Sequence, residues 1–235
     1  MTTLTFDVAD HGTRVVHVTR VLNAGFAGAD QSSVLAHIDE LAELGVPRPT
    51  SVPTLYNLAP ISTSQADEVW VHGDRTSGEA EWALIVDDSN DLLLTVASDH
   101  TDRQLETHRI DWGKQIAPDV LARAAWRLSD IDPASNSIRL RSWGSKGGSE
   151  DVLLQEGTLD QLLPPAYWIE TLTDAGLLVP GTVVLGGTLP MIDPEAQYAD
   201  TWTVELEDRD KGRALRLSYA IHILPTLEPS TMRVG

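Results

Sequence analysis

Hydrophobic and polar residues alternate along much of the chain with a period of two, which is typical of β-strands whose two faces meet different surroundings. The alternation first runs from Leu4 to Val18 around Gly12, and it becomes dense from about Leu55 onward. The strands predicted in this second part are Glu68–Val71, Ala80–Val86, Leu92–Ala97, Ile138–Trp143, Val152–Gln155, Val183–Leu185, Thr201–Glu207 and Leu215–Ile223. Because strict strand–helix alternation is missing, the pattern favours an antiparallel or mixed β architecture over a doubly wound sheet.

Three segments instead place apolar residues at helical spacing. Ser32–Leu44 is predicted to be a helix that stops at Gly45, and further helices are predicted at Asp119–Leu128 and Leu159–Ala175. A segment of small residues, Asn23–Asp30, precedes the first helix, and the chain after that helix is interrupted by Pro47, Pro49 and Pro53. The sequence has no internal repeat and no long flexible linker, so we expect a single domain.

The composition narrows the classes of function. The 235 residues include 17 basic and 35 acidic side chains, which gives a formal net charge of −18. Nucleic acids and anionic membranes need a basic surface on their partner, so we expect neither as a partner. The absence of cysteine excludes disulfides, thiolate metal sites and a cysteine nucleophile. The sequence lacks an apolar signal core and a run of about 18 apolar residues, so we expect a soluble cytoplasmic protein.

One predicted strand begins with two glutamates. Glu79 and Glu81 lie two residues apart, so in a strand they share a face with Ala83, while Trp82 and Leu84 occupy the opposite face. Two like charges beside a core repel each other and lose their hydration. A divalent cation would resolve this conflict, and carboxylate oxygens favour magnesium, manganese or calcium over zinc.

Asp99 follows the next apolar strand and would reach the same cation if the two strands pair. The residues alone also allow a simpler interpretation, in which the glutamates are exposed at the mouth of a strand and Ser98-Asp99 caps a turn. Spacing by itself leaves both interpretations open.

Four motifs in order resemble the fumarylacetoacetate hydrolase superfamily over roughly residues 33–207. They are Glu79-Ala-Glu81, Asp99-His-Thr-Asp-Arg103, the segment Gly-Lys-Gln-Ile-Ala-Pro118 with Lys114, and the glycine-turn segment from Val179 to Pro190. The resemblance implies a magnesium site formed by Glu79, Glu81 and Asp99, with manganese or calcium as alternative ions.

His37 and Glu40 have the H-x-x-E form of the catalytic dyad of that superfamily. Positions i and i+3 share a helix face, so Glu40 can orient the imidazole and raise its basicity. From the residues alone, a surface pair without a catalytic task is the favoured interpretation. The resemblance implies that the dyad activates a water molecule and that Lys114 neutralises developing negative charge.

The resemblance further implies a mainly β fold with short helices, an α+β mixed β-roll that forms a homodimer. We expect one domain, 1–235, with an N-terminal strand and lid region at 1–60 and a metal-binding core at 61–235. For substrate binding, it implies backbone and hydroxyl donors at Gly187 and Thr188 and contributions from Tyr56 and Arg103, although Arg103 fits a bracing role in the metal loop better.

The implied activity is magnesium-dependent hydrolysis of a carbon–carbon bond in a small oxo acid, similar to an acylpyruvate or fumarylpyruvate. The alternatives are a decarboxylase or keto-enol tautomerase acting on an oxaloacetate-like acid, and a non-catalytic protein that binds a small acid. The chain departs from the superfamily pattern at several places: Tyr56-Asn57 stands where members carry a basic residue, and Gln104 replaces an aspartate. These departures leave the substrate open.

Overall fold

The computed structural model describes residues 2–43, 48–133 and 136–225, with His37 and Leu41 described in the backbone only. The helices are α1 (Gln31–Glu43), α2 (Arg103–Glu106), α3 (Ile110–Gln115) and α4 (Pro165–Asp174), and 3-10 turns lie at Pro60–Ser62, Leu128–Asp130 and Leu159–Gln161. The strands are β1 (Thr2–Val8), β2 (Gly12–Val18), β3 (Arg20–Gly25), β4 (Thr54–Leu58), β5 (Thr63–Ser64), β6 (Glu68–Val71), β7 (Thr76–Ser77), β8 (Ala80–Val86), β9 (Leu92–Asp99), β10 (Thr101–Asp102), β11 (Asp119–Leu121), β12 (Ala124–Arg127), β13 (Ile138–Ser145), β14 (Val152–Thr158), β15 (Thr182–Thr188), β16 (Thr201–Asp208) and β17 (Arg213–Ile223).

Most of the strands form two sheets. The larger sheet has the order β2-β1-β12-β9-β8-β15-β3-β4, with β11 and β5 attached through β9. The smaller sheet has the order β14-β13-β16-β17-β6, and β7 pairs with β10. Antiparallel pairs dominate, with parallel pairs at β1–β12, β11–β5, β15–β3 and β17–β6. The protein is therefore mainly β with mixed sheets and short helices, as predicted.

Two hydrophobic cores lie on the two faces of the larger sheet. One core, which we call the inner core, includes Phe6, Ala83, Ile85 and Leu185, and all of its buried members lie in strands of the larger sheet. A sheet can bury such a set against itself only by curling around it. The other core packs the opposite face, including Trp82, against the smaller sheet and α4. The alternation predicted for β8 therefore separates two buried faces, and every residue of β8 is buried.

The predicted strands are all present, most of them a few residues longer than predicted. The helix predicted at Ser32–Leu44 corresponds to α1, and the one predicted at Leu159–Ala175 splits into a 3-10 turn and α4. The helix predicted at Asp119–Leu128 is wrong, because this segment forms β11 and β12. Here pairing with β9 outweighs the local preference of an alanine-rich segment for helix.

The first 60 residues contribute to the same sheet as the rest of the chain. β1 pairs with β12, and β3 pairs with β15, which lies next to β8. The lid role predicted for part of this region, and the division at residue 60, remain predictions. Among the described residues, no helix has both the length and the apolar character needed to cross a membrane.

Gly186 marks the closest packing between β15 and β8. A Cβ atom at this position would lie 2.0 Å from the ring of Trp82, which is fully buried. We expect Gly186→Ala to lower the free energy of unfolding by about 3 kcal/mol, because the buried ring has no space into which to move. Gly73→Ala is a matched control, since a Cβ atom there meets nothing within 4 Å. Urea denaturation of both variants measures the difference, and equal stabilities would contradict this packing.

Candidate metal centre

At one end of the inner core, the inward face of the larger sheet changes from apolar to polar side chains. Successive inward positions of a strand lie two residues apart, so each polar residue is one step beyond a core residue. These pairs are Asn23 beyond Val21, Glu81 beyond Ala83, Asp99 beyond Ala97 and Asp119 beyond Leu121. All four polar side chains are fully buried. The fold therefore collects carboxylates from three strands at one place that is closed to water on the core side.

The β8–β9 hairpin brings together the three carboxylates singled out in the sequence. Ala80 pairs with Ser98, and the Asp99 N–H donates to the Glu79 carbonyl oxygen at 3.1 Å. Glu79, Glu81 and Asp99 each present an oxygen atom, and these three atoms lie within 4.8 Å of one another. This is the spacing at which one cation can contact all three.

Lys114, on α3, enters the carboxylate cluster from the side. Its ammonium group contacts Asp99 and lies 3.3 Å from Glu79 Oε2. Burial alone would lower the pKa of Lys114, but the Asp99 and Glu79 carboxylates outweigh it and hold this pKa well above its usual value. Burial likewise would raise the pKa of Asp99, and the Lys114 ammonium reverses the shift and lowers it. The cluster thus has a permanently charged lysine.

Glu81 is the carboxylate with the least compensation. The Gly187 N–H donates to its Oε2 at 2.8 Å, while its Oε1 is buried without a hydrogen-bond partner among the described residues. Burial and the neighbouring Asp99 raise its pKa well above the usual value. A hard divalent cation would satisfy the unpartnered oxygen and offset the repulsion. The residues therefore fit magnesium, manganese or calcium, whose preferred ligands are carboxylate oxygens.

Arg103 braces the outer side of the cluster. Its guanidinium group donates to Glu79 Oε1 at 2.8 Å, to Glu106 Oε2 at 2.9 Å and to Ser77 Oγ at 2.7 Å. These contacts hold the Glu79 carboxylate in one orientation, and a contribution of Arg103 to substrate binding stays a prediction. Ser77 in turn donates to Gln197 at 2.8 Å, which links the brace to the segment between β15 and β16.

Asn23 and Asp119 were not recognised in the sequence. The Asn23 amide donates to Asp99 Oδ2 at 2.9 Å and lies 3.5 Å from Asp119 Oδ1, and Ser62 donates to Asp119 at 3.1 Å. Burial and Asp99 raise the pKa of Asp119 well above its usual value. Neither residue carries a local signal, because Asn23 lies 76 positions before Asp99 and belongs to a different part of the sheet.

Gly187 and Thr188 lie beside the cluster with their donors already engaged. The Gly187 N–H is used by Glu81, and the Thr188 hydroxyl donates to the Ala80 carbonyl oxygen at 2.9 Å. Gln155 also donates to Thr188 and receives the Ala80 N–H, so it ties this turn to β8. These contacts hold the Gly187–Thr188 turn against β8. A direct role in binding a substrate carboxylate stays a prediction for both residues.

Tyr56 stands next to the site on β4. It is paired in register with Asn23, and such directly opposite residues point to the same face of a sheet. Its ring packs over Gly25, where a Cβ atom would lie only 2.6 Å from the ring. Tyr56 is half-buried, and its register with Asn23 places it beside the carboxylate cluster.

His100 follows Asp99 directly and is fully buried. The His100 Nδ1 atom is 3.0 Å from the Tyr219 hydroxyl, which also contacts Ser98, so His100 lies in the protein interior, behind the segment that follows β9.

His37 and Glu40 both belong to α1, and Glu40 is exposed. The His37 side chain lies outside the described part of the structure, so the dyad remains a prediction.

Comparison with solved structures shows that the fold is shared with enzymes. The complex of 2-keto-3-deoxy-D-arabinonate dehydratase with magnesium and 2,5-dioxopentanoate is 14% identical with a TM-score of 0.64, and the alignment covers 92% of this chain and 78% of that one. The structure of Cg1458 with an inhibitor is 18% identical with a TM-score of 0.62, covering 91% and 81%. At these identities, the likeness concerns the fold.

The matching family model covers residues 24–219 and is described as protein of unknown function DUF2848. The chain belongs to this family. No curated protein matches the chain in sequence. The description of the family names no activity.

Proposed function

We propose that the protein is a divalent-cation-dependent enzyme that acts on a small 2-oxo acid, and that its reaction is hydrolysis of a carbon–carbon bond. The observation that carries this proposal is the convergence of Glu79, Glu81 and Asp99 with Lys114 at the end of the inner core. Three hard carboxylates and one buried ammonium group form a site that attracts a metal ion and an oxyanion together.

The arrangement also supports membership of the fumarylacetoacetate hydrolase superfamily, with Glu79, Glu81 and Asp99 as ligands of magnesium, or of manganese or calcium. When bound, the cation would supply a Lewis acid for the 2-oxo oxygen of the substrate and its neighbouring carboxylate. We include a cytoplasmic homodimer in this proposal as the state expected from that resemblance.

The residues of the chain divide the remaining work. Lys114 holds its proton because of Asp99 and Glu79, so it offers a fixed positive charge to an oxyanion that develops beside it. Arg103 keeps Glu79 in one orientation, and the Asn23 amide does the same for Asp99. The apolar inner core behind the ligands excludes water, which strengthens each of these electrostatic contacts.

Hydrolysis needs a water-activating base, for which His37 with Glu40 is the proposed pair. A second candidate is a lyase reaction, by loss of water or carbon dioxide, which needs no attacking water. The fold likeness to a dehydratase complexed with magnesium and 2,5-dioxopentanoate favours this alternative. A non-catalytic acid-binding protein is less favoured, since it would retain buried, mutually repelling carboxylates without using them.

Removal of the proposed base separates the two reactions. We expect His37→Ala to lower the rate of carbon–carbon hydrolysis by about 100-fold, because general-base catalysis contributes about that much, while the magnesium affinity stays unchanged. The rates of oxo-acid cleavage, dehydration and decarboxylation are measured over a panel of 2-oxo and 3-oxo acids with added magnesium. His72→Ala is the control, since His72 is exposed and lies outside the site. Full hydrolytic activity of His37→Ala would exclude the water-activating role.

A further inference from the structure

Among the three carboxylates of the cluster, Glu79 is the one whose side chain is partly exposed. Glu81 and Asp99 are fully buried, whereas the side chain of Glu79 is 15% exposed and that of Glu106 is 27% exposed. Tyr56 is half-buried on the same side of the sheet as Asn23. A ligand that enters on this side, which we call the entrance, would have any part beyond its chelating end near Tyr56 and Glu106.

The cationic side chains beside this entrance already contact carboxylates. A divalent cation and Lys114 would lie together at the three ligand carboxylates. Arg103 is shared between Glu79 and Glu106, and Arg109 is paired with Asp111 at 2.5 Å. Arg103 on α2, Lys114 on α3 and Arg109 just before α3 therefore each already contact a carboxylate.

The Tyr56 hydroxyl is a neutral group in a negative environment. Burial raises the pKa of Tyr56 to about 12, with Lys114 opposing the shift and the Glu106, Asp111 and Glu79 carboxylates adding to it. The phenol therefore keeps its proton near neutral pH and offers one hydrogen bond without charge. It cannot compensate an anion, and the nearby carboxylates repel one.

On the basis of the proposed function, we infer that the substrate is a 2-oxo acid with a single carboxylate, next to the oxo group, and an uncharged tail. The first carboxylate would bind the cation directly and lie beside the Lys114 ammonium group, and these contacts replace its hydration. A second carboxylate at the far end would lie beside Tyr56, Glu106 and Asp111. It would lose hydration there, and the described cations Arg103, Arg109 and Lys114 already contact other carboxylates. The inference favours acylpyruvate-like acids over the dicarboxylic fumarylpyruvate-like and oxaloacetate-like acids.

Three probes test the inference on the full chain with magnesium by isothermal calorimetry. Oxalate has the chelating groups and no tail, and 2-oxoglutarate and its 5-methyl ester differ in the charge of the tail. We expect oxalate to bind only with magnesium and the ester to bind at least about tenfold more tightly than 2-oxoglutarate. Equal binding of the ester and the acid, or tighter binding of the acid, would overturn the inference and leave the proposed function standing. Absence of magnesium-dependent oxalate binding would instead overturn the proposed function.

Two variants change the charge at the entrance without touching the ligand carboxylates. Tyr56→Lys should remove most of the preference for the ester, because it provides a cation for the second carboxylate. Asp111→Asn should reduce the preference by about threefold, since it removes one repelling charge from an exposed position. The exposed Asp210→Asn variant, in the β16–β17 turn, should leave the preference unchanged. An unchanged preference in both entrance variants would contradict the assignment of the tail to this side.

Discussion

Glu81→Gln is expected to weaken magnesium binding by about 100-fold or more, which corresponds to about 2.7 kcal/mol, and at the same time to stabilise the metal-free protein. The amide keeps an oxygen for the Gly187 N–H and retains the volume of the side chain. It removes the negative charge that a cation would bind. Both effects have one origin, because a buried carboxylate that repels Asp99 is favourable only when a cation is present.

The sign of the stability change follows from the shifted pKa. Folding raises the pKa of Glu81, so at neutral pH, above the pKa of the unfolded side chain, this carboxyl lowers the stability of the metal-free protein. Glutamine removes that cost, and we expect a gain of about 1–3 kcal/mol in urea denaturation without metal. Calorimetric titration with magnesium measures the affinity. Glu68→Gln is the control, because Glu68 is exposed on β6 of the smaller sheet. Magnesium binding that is unchanged in Glu81→Gln would refute the metal centre.

Lys114→Met is expected to destabilise the metal-free protein by about 3 kcal/mol, because removing one partner of a buried ion pair leaves uncompensated charge. Lys114 contacts Asp99 and Glu79, and its loss exposes both carboxylates and Glu81 to mutual repulsion. Magnesium should restore more stability to this variant than to the wild type, since the cation then becomes the main compensating charge.

Thermal denaturation with and without magnesium measures this difference. Lys146→Met is a matched control, because Lys146 is exposed in the connection between β13 and β14. We also expect Lys114→Met to lower the turnover of the oxo-acid substrate by about 100-fold, the usual effect of removing one group that stabilises an oxyanion. A variant as stable as the wild type without metal would contradict the buried ion pairs.

The sequence predicted those parts of the site that lie within one hairpin. Glu79 immediately precedes β8, Glu81 lies within it, and Asp99 ends the strand that pairs with β8, so a period of two and one turn are sufficient. The strand content and the first helix were predicted for the same reason, since local periodicity records which face each residue presents. The helix predicted at Asp119–Leu128 was wrong because this segment pairs with β9 and β5, and such pairing between separate strands leaves no local pattern in the sequence.

Other parts of the site depend on the order of strands in the larger sheet. Asn23 donates to Asp99 and lies next to Asp119, which in turn accepts from Ser62, and no local pattern of the sequence relates these residues to one another. The engagement of the Gly187 and Thr188 donors within the protein is likewise visible only once β15 lies beside β8. A sequence identifies donors and acceptors, whereas the pairing of strands decides which of them are already used.

For this protein, the sequence by itself determined a mainly β chain, an acidic net charge and a pair of glutamates at the start of a buried strand. Tertiary structure alone decided that the larger sheet curls around its own inner core and that its inward side chains change from apolar to polar at one end of that core. That curling brings Asn23 and Asp119 next to Asp99 and places Tyr56 beside Asn23. The physical reason is that burial and electrostatic compensation depend on distances between strands, and local patterns of residues do not contain those distances.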